Sequence, residues 1–287
     1  MKAGADIGGT SVKVGIFDGE RLVRKTSFGF DFFGRADECI KAVKSAVINM
    51  LEEEGLGFSS LESVGFSVPG SVDSEGERIA AAHNLGFYDV PIGEIVRKEF
   101  PGIAVSVYND ADSAALGELH FGALKGCRTA VLLTLGTGLG GALIIDGRLF
   151  RGGLGRGTEP GHFIIDPDGD SCTCGNRGCA ETKCSATFLI KKSAYKEAKE
   201  VFDRAERGEK HSSELIDEYV DCLSSYIAGL INLLDPEKVC LGGGVSKNGR
   251  WFYSILKEAV SRKTYNPLIC EIVPAELGND AGMMGAL

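Results

Sequence analysis

A short pattern occurs twice in this chain. Gly8-Gly9-Thr10 is followed by Gly15-Ile16-Phe17-Asp18-Gly19, and Gly136-Thr137-Gly138 is followed by Leu143-Ile144-Ile145-Asp146-Gly147. Each copy is a glycine turn, an apolar strand and an Asp-Gly hairpin, in the same register. One Asp-Gly pair arises easily by chance, but the whole spacing repeated is most simply explained by two similar halves. Each half then opens with a β-hairpin whose first turn faces a shared cleft. With 287 residues, 44% hydrophobic and 25% charged, the chain can build the cores of two ordinary domains.

The periodicity agrees with a mixed α/β chain. Strands are expected at 2–6, 12–18, 21–27, 63–68, 103–108, 129–135, 142–146, 239–241 and 269–273. Helices are expected at 36–53, 109–119, 185–205, 212–234, 251–261 and 279–287. Gly136-Thr137-Gly138-Leu139-Gly140-Gly141 matches G-x-G-x-x-G, but a strand follows where a dinucleotide site needs a helix, so that reading is rejected. No P-loop pattern occurs.

Cys172-Thr173-Cys174-Gly175-Asn176-Arg177-Gly178-Cys179 crowds three thiols into one loop, with His162 just upstream. Zn²⁺ takes about four tetrahedral N and S ligands, so His162, Cys172, Cys174 and Cys179 form one candidate set. Cys184 is the competing fourth ligand. The C-x-C spacing argues against a zinc-finger nucleic-acid module, and so does the net charge of -9, since a phosphate backbone needs a basic surface. Of 9 cysteines, those outside the cluster include Cys39, Cys127, Cys222, Cys240 and Cys270, most of which sit in apolar runs and read as buried free thiols. With no signal peptide and no apolar run of membrane-spanning length, a cytoplasmic protein without membrane partners is expected.

Three glycine turns and several carboxylates carry the remaining chemistry. Asp6, Gly8, Gly9, Thr10 and Lys13 suit a Mg²⁺-nucleotide: backbone N–H groups approach phosphate, and Asp6 acts on the metal through water. Gly136, Thr137 and Gly138 stand at the equivalent place in the second copy and suggest a second phosphate clamp. Gly242, Gly243 and Gly244 follow a strand and leave room for a flat base, although taken alone they read first as a plain strand-to-helix turn. Asn109-Asp110 reads either as a helix cap or as an alcohol-orienting amide with a proton-accepting carboxylate. Glu159, His162 and Glu181 flank the thiols and suit vicinal hydroxyls.

Taken in order, Asp6-x-Gly8-Gly9-Thr10, Pro69-Gly70, Asn84-Leu85, Asn109-Asp110-Ala111, Leu135-Gly136-Thr137-Gly138, Glu159-x-Gly161-His162, the cysteine loop through Glu181, and Gly242-Gly243-Gly244 resemble the ROK family of sugar kinases and sugar-responsive repressors. The resemblance implies a two-domain actin-like ATPase (ribonuclease H-like) fold with an interdomain cleft and a zinc-binding loop. The first domain would hold 1–108 plus a C-terminal helix at about 275–287, and the second 109–274. It implies transfer from ATP with Mg²⁺ to a hexose hydroxyl, the 6-OH of glucose first, with Asp110 as general base. Asn84, Asn109, Glu159, His162 and Glu181 would surround the sugar, Gly242 to Gly244 the adenosine. A homodimer is expected.

One departure stands out. The family pattern has Ala-Gly-Glu, an apolar residue, then Gly-His; this chain has Gly157-Thr158-Glu159-Pro160-Gly161-His162. Pro160 removes a donor beside the sugar loop. N-acetylglucosamine or N-acetylmannosamine is the alternative acceptor. A non-catalytic sugar-sensing regulator is the alternative of another class. The family's repressors carry a DNA-binding segment ahead of the first glycine motif, which here begins at Asp6, so a regulator is not expected.

Overall fold

The computed structural model describes residues 1–155, 157–267 and 269–287. By contacts the chain divides into two units. One holds Met1–Lys125, Leu149–Gly157 and Asn279–Leu287, the other Gly126–Arg148 and Thr158–Gly278.

The first unit contains β1 (Lys2–Ile7), β2 (Ser11–Asp18), β3 (Arg21–Gly29), α1 (Ala36–Glu53), β4 (Ser63–Val68), β5 (Ser71–Val72), β6 (Ile79–Ala82), β7 (Phe87–Val90), α2 (Ile92–Glu99), β8 (Ala104–Asn109) and α3 (Asp110–Phe121). The second contains β9 (Ala130–Leu135), β10 (Leu139–Ile145), α4 (Glu181–Cys184), α5 (Ala186–Ser193), α6 (Ala198–Glu206), α7 (Lys210–Leu234), β12 (Lys238–Gly242), α8 (Gly249–Ser261) and β13 (Glu271–Pro274), with β11 (Arg148–Phe150) following β10. The chain ends in α9 (Ala281–Gly285), which belongs to the first unit.

The internal repeat is realised as two five-stranded sheets, β3-β2-β1-β4-β8 and β11-β10-β9-β12-β13. In each, an antiparallel hairpin is extended by two parallel strands. Apolar residues of the strands and helices build a separate core for each unit. This is the two-domain architecture of the actin-like fold. The small sheet β5-β6-β7 and α2 were not foreseen from sequence. The helix expected over 185–205 is two helices, because Ala194 turns left-handed at φ 58° and the Ser193 hydroxyl caps the Tyr195 N–H. The strand expected from Ala142 starts at Leu139, which pairs with Leu135. Among the described residues no helix is long and apolar enough to cross a membrane.

The divide at 108/109 falls inside the first unit, because α3 packs on both α9 and β8. A slot of small residues allows this. Gly15, Gly4 and Gly65 stand side by side on β2, β1 and β4, with Ser106 next on β8. The backbone of α9 and the residue after it lies in that row. A Cβ on Gly4 would overlap the Met283 carbonyl, and one on Gly65 the Ala286 carbonyl, while Ser106 Oγ donates to that same carbonyl at 2.7 Å. On the far side Gly285 packs against the backbone of Ser113 and Gly117. Gly65→Ala should therefore cost about 3 kcal/mol or more, since the clash is with the Ala286 backbone and cannot relax by a rotamer change. Gly29→Ala, in open space, should stay within about 0.5 kcal/mol. Urea midpoints of the two variants check this; equal midpoints would refute the slot.

Candidate active site

The first unit presents its polar groups where its parallel strands end. The register sets Lys13, Asp6, Ser67 and Tyr108 in one row across β2, β1, β4 and β8. Both oxygens of the Asp6 carboxylate are engaged. Lys13 Nζ lies 3.2 Å from Oδ2, and the fully buried Ser67 donates to Oδ1 at 2.9 Å. Lys13 also donates to the Asn279 carbonyl at 2.9 Å, tying the row to the C-terminal segment. Ser67 escaped the sequence reading. Its signal was a hydroxyl in an otherwise apolar strand, which acquires meaning only once the register with Asp6 is known.

Gly8-Gly9-Thr10 forms the turn from β1 to β2, with the Gly8 N–H donating to the Ser11 carbonyl at 2.8 Å. Asn84 sits on this turn: a Cβ built on Gly9 would lie 3.2 Å from the Asn84 Cβ. Asn84 itself is exposed.

Asn109 ends β8 and caps α3. Its Oδ1 accepts the Ala111 N–H at 2.8 Å, and its Nδ2 donates to the Gly70 carbonyl at 2.6 Å. Of the two readings of this residue, the structure displays the cap. Asp110 is thereby fixed as the first residue of α3, exposed, with Oδ1 accepting the Ala111 N–H at 2.9 Å. Arg151, also unforeseen, fastens the 149–157 segment to this corner. It donates to the Ser74 carbonyl, lies 3.9 Å from the buried Asp112 carboxylate, and covers the Tyr108 ring at 4.9 Å.

In the second unit, Gly136-Thr137-Gly138 turns from β9 to β10. The Ala186 N–H and the Thr187 hydroxyl donate to the carbonyls of Gly136 and Thr137, at 2.8 and 2.6 Å. Glu181 braces the same turn, accepting the Leu139 N–H at 3.0 Å on Oε2. Its other oxygen receives the Cys172 thiol at 3.7 Å and the Thr173 hydroxyl at 3.4 Å. One carboxylate thus joins the glycine turn to the cysteine loop, at the wall of a cavity of about 740 Å³ that Thr137, Thr187, Lys191 and Lys192 also line. Gly242 pairs with Thr134, which sets the third glycine turn beside the second at the ends of adjacent parallel strands. That is where open α/β sheets take their ligands. A side chain on Gly243 would overlap the Leu135 backbone.

The loop brings together the donor atoms of His162, Cys172, Cys174 and Cys179, all within 4.8 Å of one another. Cys172 Sγ is 3.6 Å from His162 Nδ1, and Cys174 Sγ is 3.6 Å from Cys179 Sγ. Tetrahedral zinc, with bonds of about 2.0–2.3 Å, sets its donor atoms about 3.5–3.8 Å apart, so this set fits the ion. Gly178, at φ 67° and pressed on the Asp166 carbonyl, admits no side chain where the loop returns. The thiols differ electrically: burial pushes Cys179 up to about 12, while the Asn176 N–H lowers Cys174. Cys184 stands outside the cluster, fully buried in the apolar core with its thiol pushed up by that burial. Outside the loop, the thiols of Cys39, Cys127, Cys240 and Cys270 are buried, whereas Cys222 on α7 is only half-buried.

Glu159 is exposed, and its carbonyl accepts the His162 N–H at 3.0 Å. Pro160 occupies the first position of the 3₁₀ turn Pro160–His162, where a missing N–H costs no bond. Its carbonyl accepts the Tyr226 hydroxyl at 2.7 Å. The departure from the motif is therefore accommodated by the backbone. The structure gathers Asp6, Lys13, Asn84, Asn109 and Asp110 with the first glycine turn in one unit. It gathers both other glycine turns, Glu159, Glu181 and the four-donor cluster in the other.

Comparison with known proteins finds relatives over nearly the whole chain. The family model described as "ROK family" matches residues 2–287. A glucokinase from Thermotoga maritima is 34% identical over 310 residues, covering 99% of this chain and 95% of its own. A crystal structure of a ROK hexokinase from Thermus thermophilus superposes with a TM-score of 0.88 at 32% identity, covering 99% of this chain and 95% of that one. A ROK family glucokinase from Streptomyces griseus, crystallised with glucose and AMPPNP, gives 0.78 at 29% identity, with 99% and 97% covered.

Proposed function

This chain belongs to the ROK family, and from that premise we propose that it transfers the γ-phosphoryl group of ATP to a hexose hydroxyl. The 6-OH of glucose is the first acceptor, because relatives matching the full chain are named glucokinases and one was crystallised with glucose and an ATP analogue. The observation that carries the reading is the Asn109–Asp110 corner. Asn109 is anchored by the cap and by one N–H on the Gly70 carbonyl, with its second N–H left for a ligand, so the helix start is rigid and presents an exposed carboxylate at a fixed position.

In this mechanism Asp110 accepts the proton of the attacking hydroxyl as the phosphoryl group passes to its oxygen. A positioned base contributes about 10²- to 10⁴-fold. Asn84, Asn109, Glu159, His162 and Glu181 bind and orient the sugar. The amides of Gly8, Gly9 and Thr10 and of Gly136, Thr137 and Gly138 receive the phosphates, and Gly242, Gly243 and Gly244 lie against the adenosine. Asp6, braced by Lys13 and Ser67, is placed to hold a hydrated Mg²⁺, which when bound neutralises phosphate charge. His162, Cys172, Cys174 and Cys179 are suited to Zn²⁺, which would hold the loop and take no part in phosphoryl transfer.

The test is a panel of hexoses and N-acetylhexosamines with ATP and Mg²⁺, the products identified by ³¹P NMR. A hexose 6-phosphate is expected. Phosphorylation of N-acetylglucosamine or N-acetylmannosamine alone would move the acceptor, and no phosphorylated sugar at all would refute the kinase reading.

A further inference from the structure

Phe28, Phe30, Phe32 and Phe33 crowd the end of β3 and the loop after it. Three of them anchor the loop. Phe28, Phe30 and Phe32 pack against the core of the first unit, with ring centroids 6.4 Å apart for Phe28–Phe32, 5.7 Å for Phe30–Phe32 and 6.4 Å for Phe30–Phe87. Phe33 does not join them and remains 68% exposed.

A singly exposed apolar side chain is ordinary, but this one has a seat. Its ring lies over Gly86, where a Cβ would come 2.5 Å from Phe33 Cε1, and where φ is 67°. Gly86 is thus excluded from carrying a side chain twice over, by the ring and by its backbone. The Gly34 N–H donates to the Leu85 carbonyl at 2.8 Å and closes the strap. Leu85 and Gly86 directly follow Asn84, which rests on the first glycine turn. On the other side of Asn84, the exposed His83 and Tyr88 rings meet at 5.5 Å, joined Nδ1 to hydroxyl at 3.0 Å.

We propose that Phe33 is a specificity-determining residue whose ring stacks on the apolar C–H face of the pyranose bound at Asn84; this rests on the kinase reading above. A pyranose offers hydroxyls at its rim and C–H groups on its faces. Binding pockets typically combine aromatic surface with a few placed polar groups, whereas every other residue assigned to the sugar here is a hydrogen-bonding one. Because three anchored rings and the Gly34–Leu85 bond already hold the loop, the platform loses little freedom when sugar arrives.

Steady-state kinetics and fluorescence test this. Phe33→Ala and Phe33→Leu should raise the sugar KM roughly three- to tenfold, the range of an aromatic contact. Their kcat and ATP KM should stay within about twofold. Phe33→Tyr should restore the sugar KM. In Phe33→Trp, saturating glucose should shift the emission, with the wild-type chain and its single Trp251 as blank. An unchanged sugar KM in Phe33→Ala, no recovery in Phe33→Tyr, or silent emission in Phe33→Trp would overturn the platform while the kinase reading stood. A wild-type chain that phosphorylates no sugar would overturn both.

Discussion

Asp110→Asn should lose nearly all turnover while still binding sugar. The substitution keeps the shape of the side chain and an Oδ1 that can accept the Ala111 N–H, which the carboxylate now receives at 2.9 Å. The cap made by Asn109 is untouched, so α3 starts where it did. What disappears is the group that takes the proton. The expected fall in kcat is about 10²- to 10⁴-fold, with a sugar Kd by calorimetry within a few fold of wild type. A variant with wild-type kcat would remove Asp110 from the mechanism. Loss of sugar affinity in parallel with kcat would recast it as a binding residue.

Cys179→Ser should release the metal and weaken sugar binding much more than ATP binding. Cys179 is fully buried and contributes one of four donor atoms to the cluster. Losing a first-rank ligand should cost metal affinity by at least the roughly 10- to 100-fold seen when only a ligand's support is removed. His162 and the Thr173 contact to Glu181 depend on the same loop, so two proposed sugar ligands loosen together. The second glycine turn keeps its bonds from Ala186 and Thr187 and should hold phosphate nearly as before. Metal content by elemental analysis should fall well below one per chain, and the sugar Kd should rise by about tenfold or more. Chelation of the wild-type chain should do the same. Since burial pushes the metal-free Cys179 up to about 12, metal uptake at neutral pH displaces its proton, so affinity must fall as pH falls. Equal loss of sugar and ATP affinity, or of neither, would contradict the assignment.

Much of this architecture was legible because it rests on local chemistry. The Asp-Gly turns and apolar alternation mark both hairpins, and the strands at 63–68 and the helix at 36–53 have the bounds their periodicity indicates. The cysteine loop was legible because ligand spacing is a sequence property; His162 was the preferred fourth donor there, and packing adds that Cys184 lies in the apolar core. The break after Ser193 left no mark, because an alanine, not a glycine, turns left-handed there. Strands of two to four residues such as β5, β6 and β7 are too short for alternation to register. Ser67 and Arg151 gain meaning only from register and from a distant segment, neither of which is written locally. The grouping of α3 with the first unit likewise depends on Gly117 and Gly285 letting two helices touch.

The central claim is that phosphoryl transfer needs the sugar. ADP release from ATP and Mg²⁺, followed with and without glucose, measures this directly. Release that begins on adding a hexose and vanishes in Asp110→Asn is the predicted result. Release at the same rate without any sugar, or none with any sugar of the panel, would contradict it.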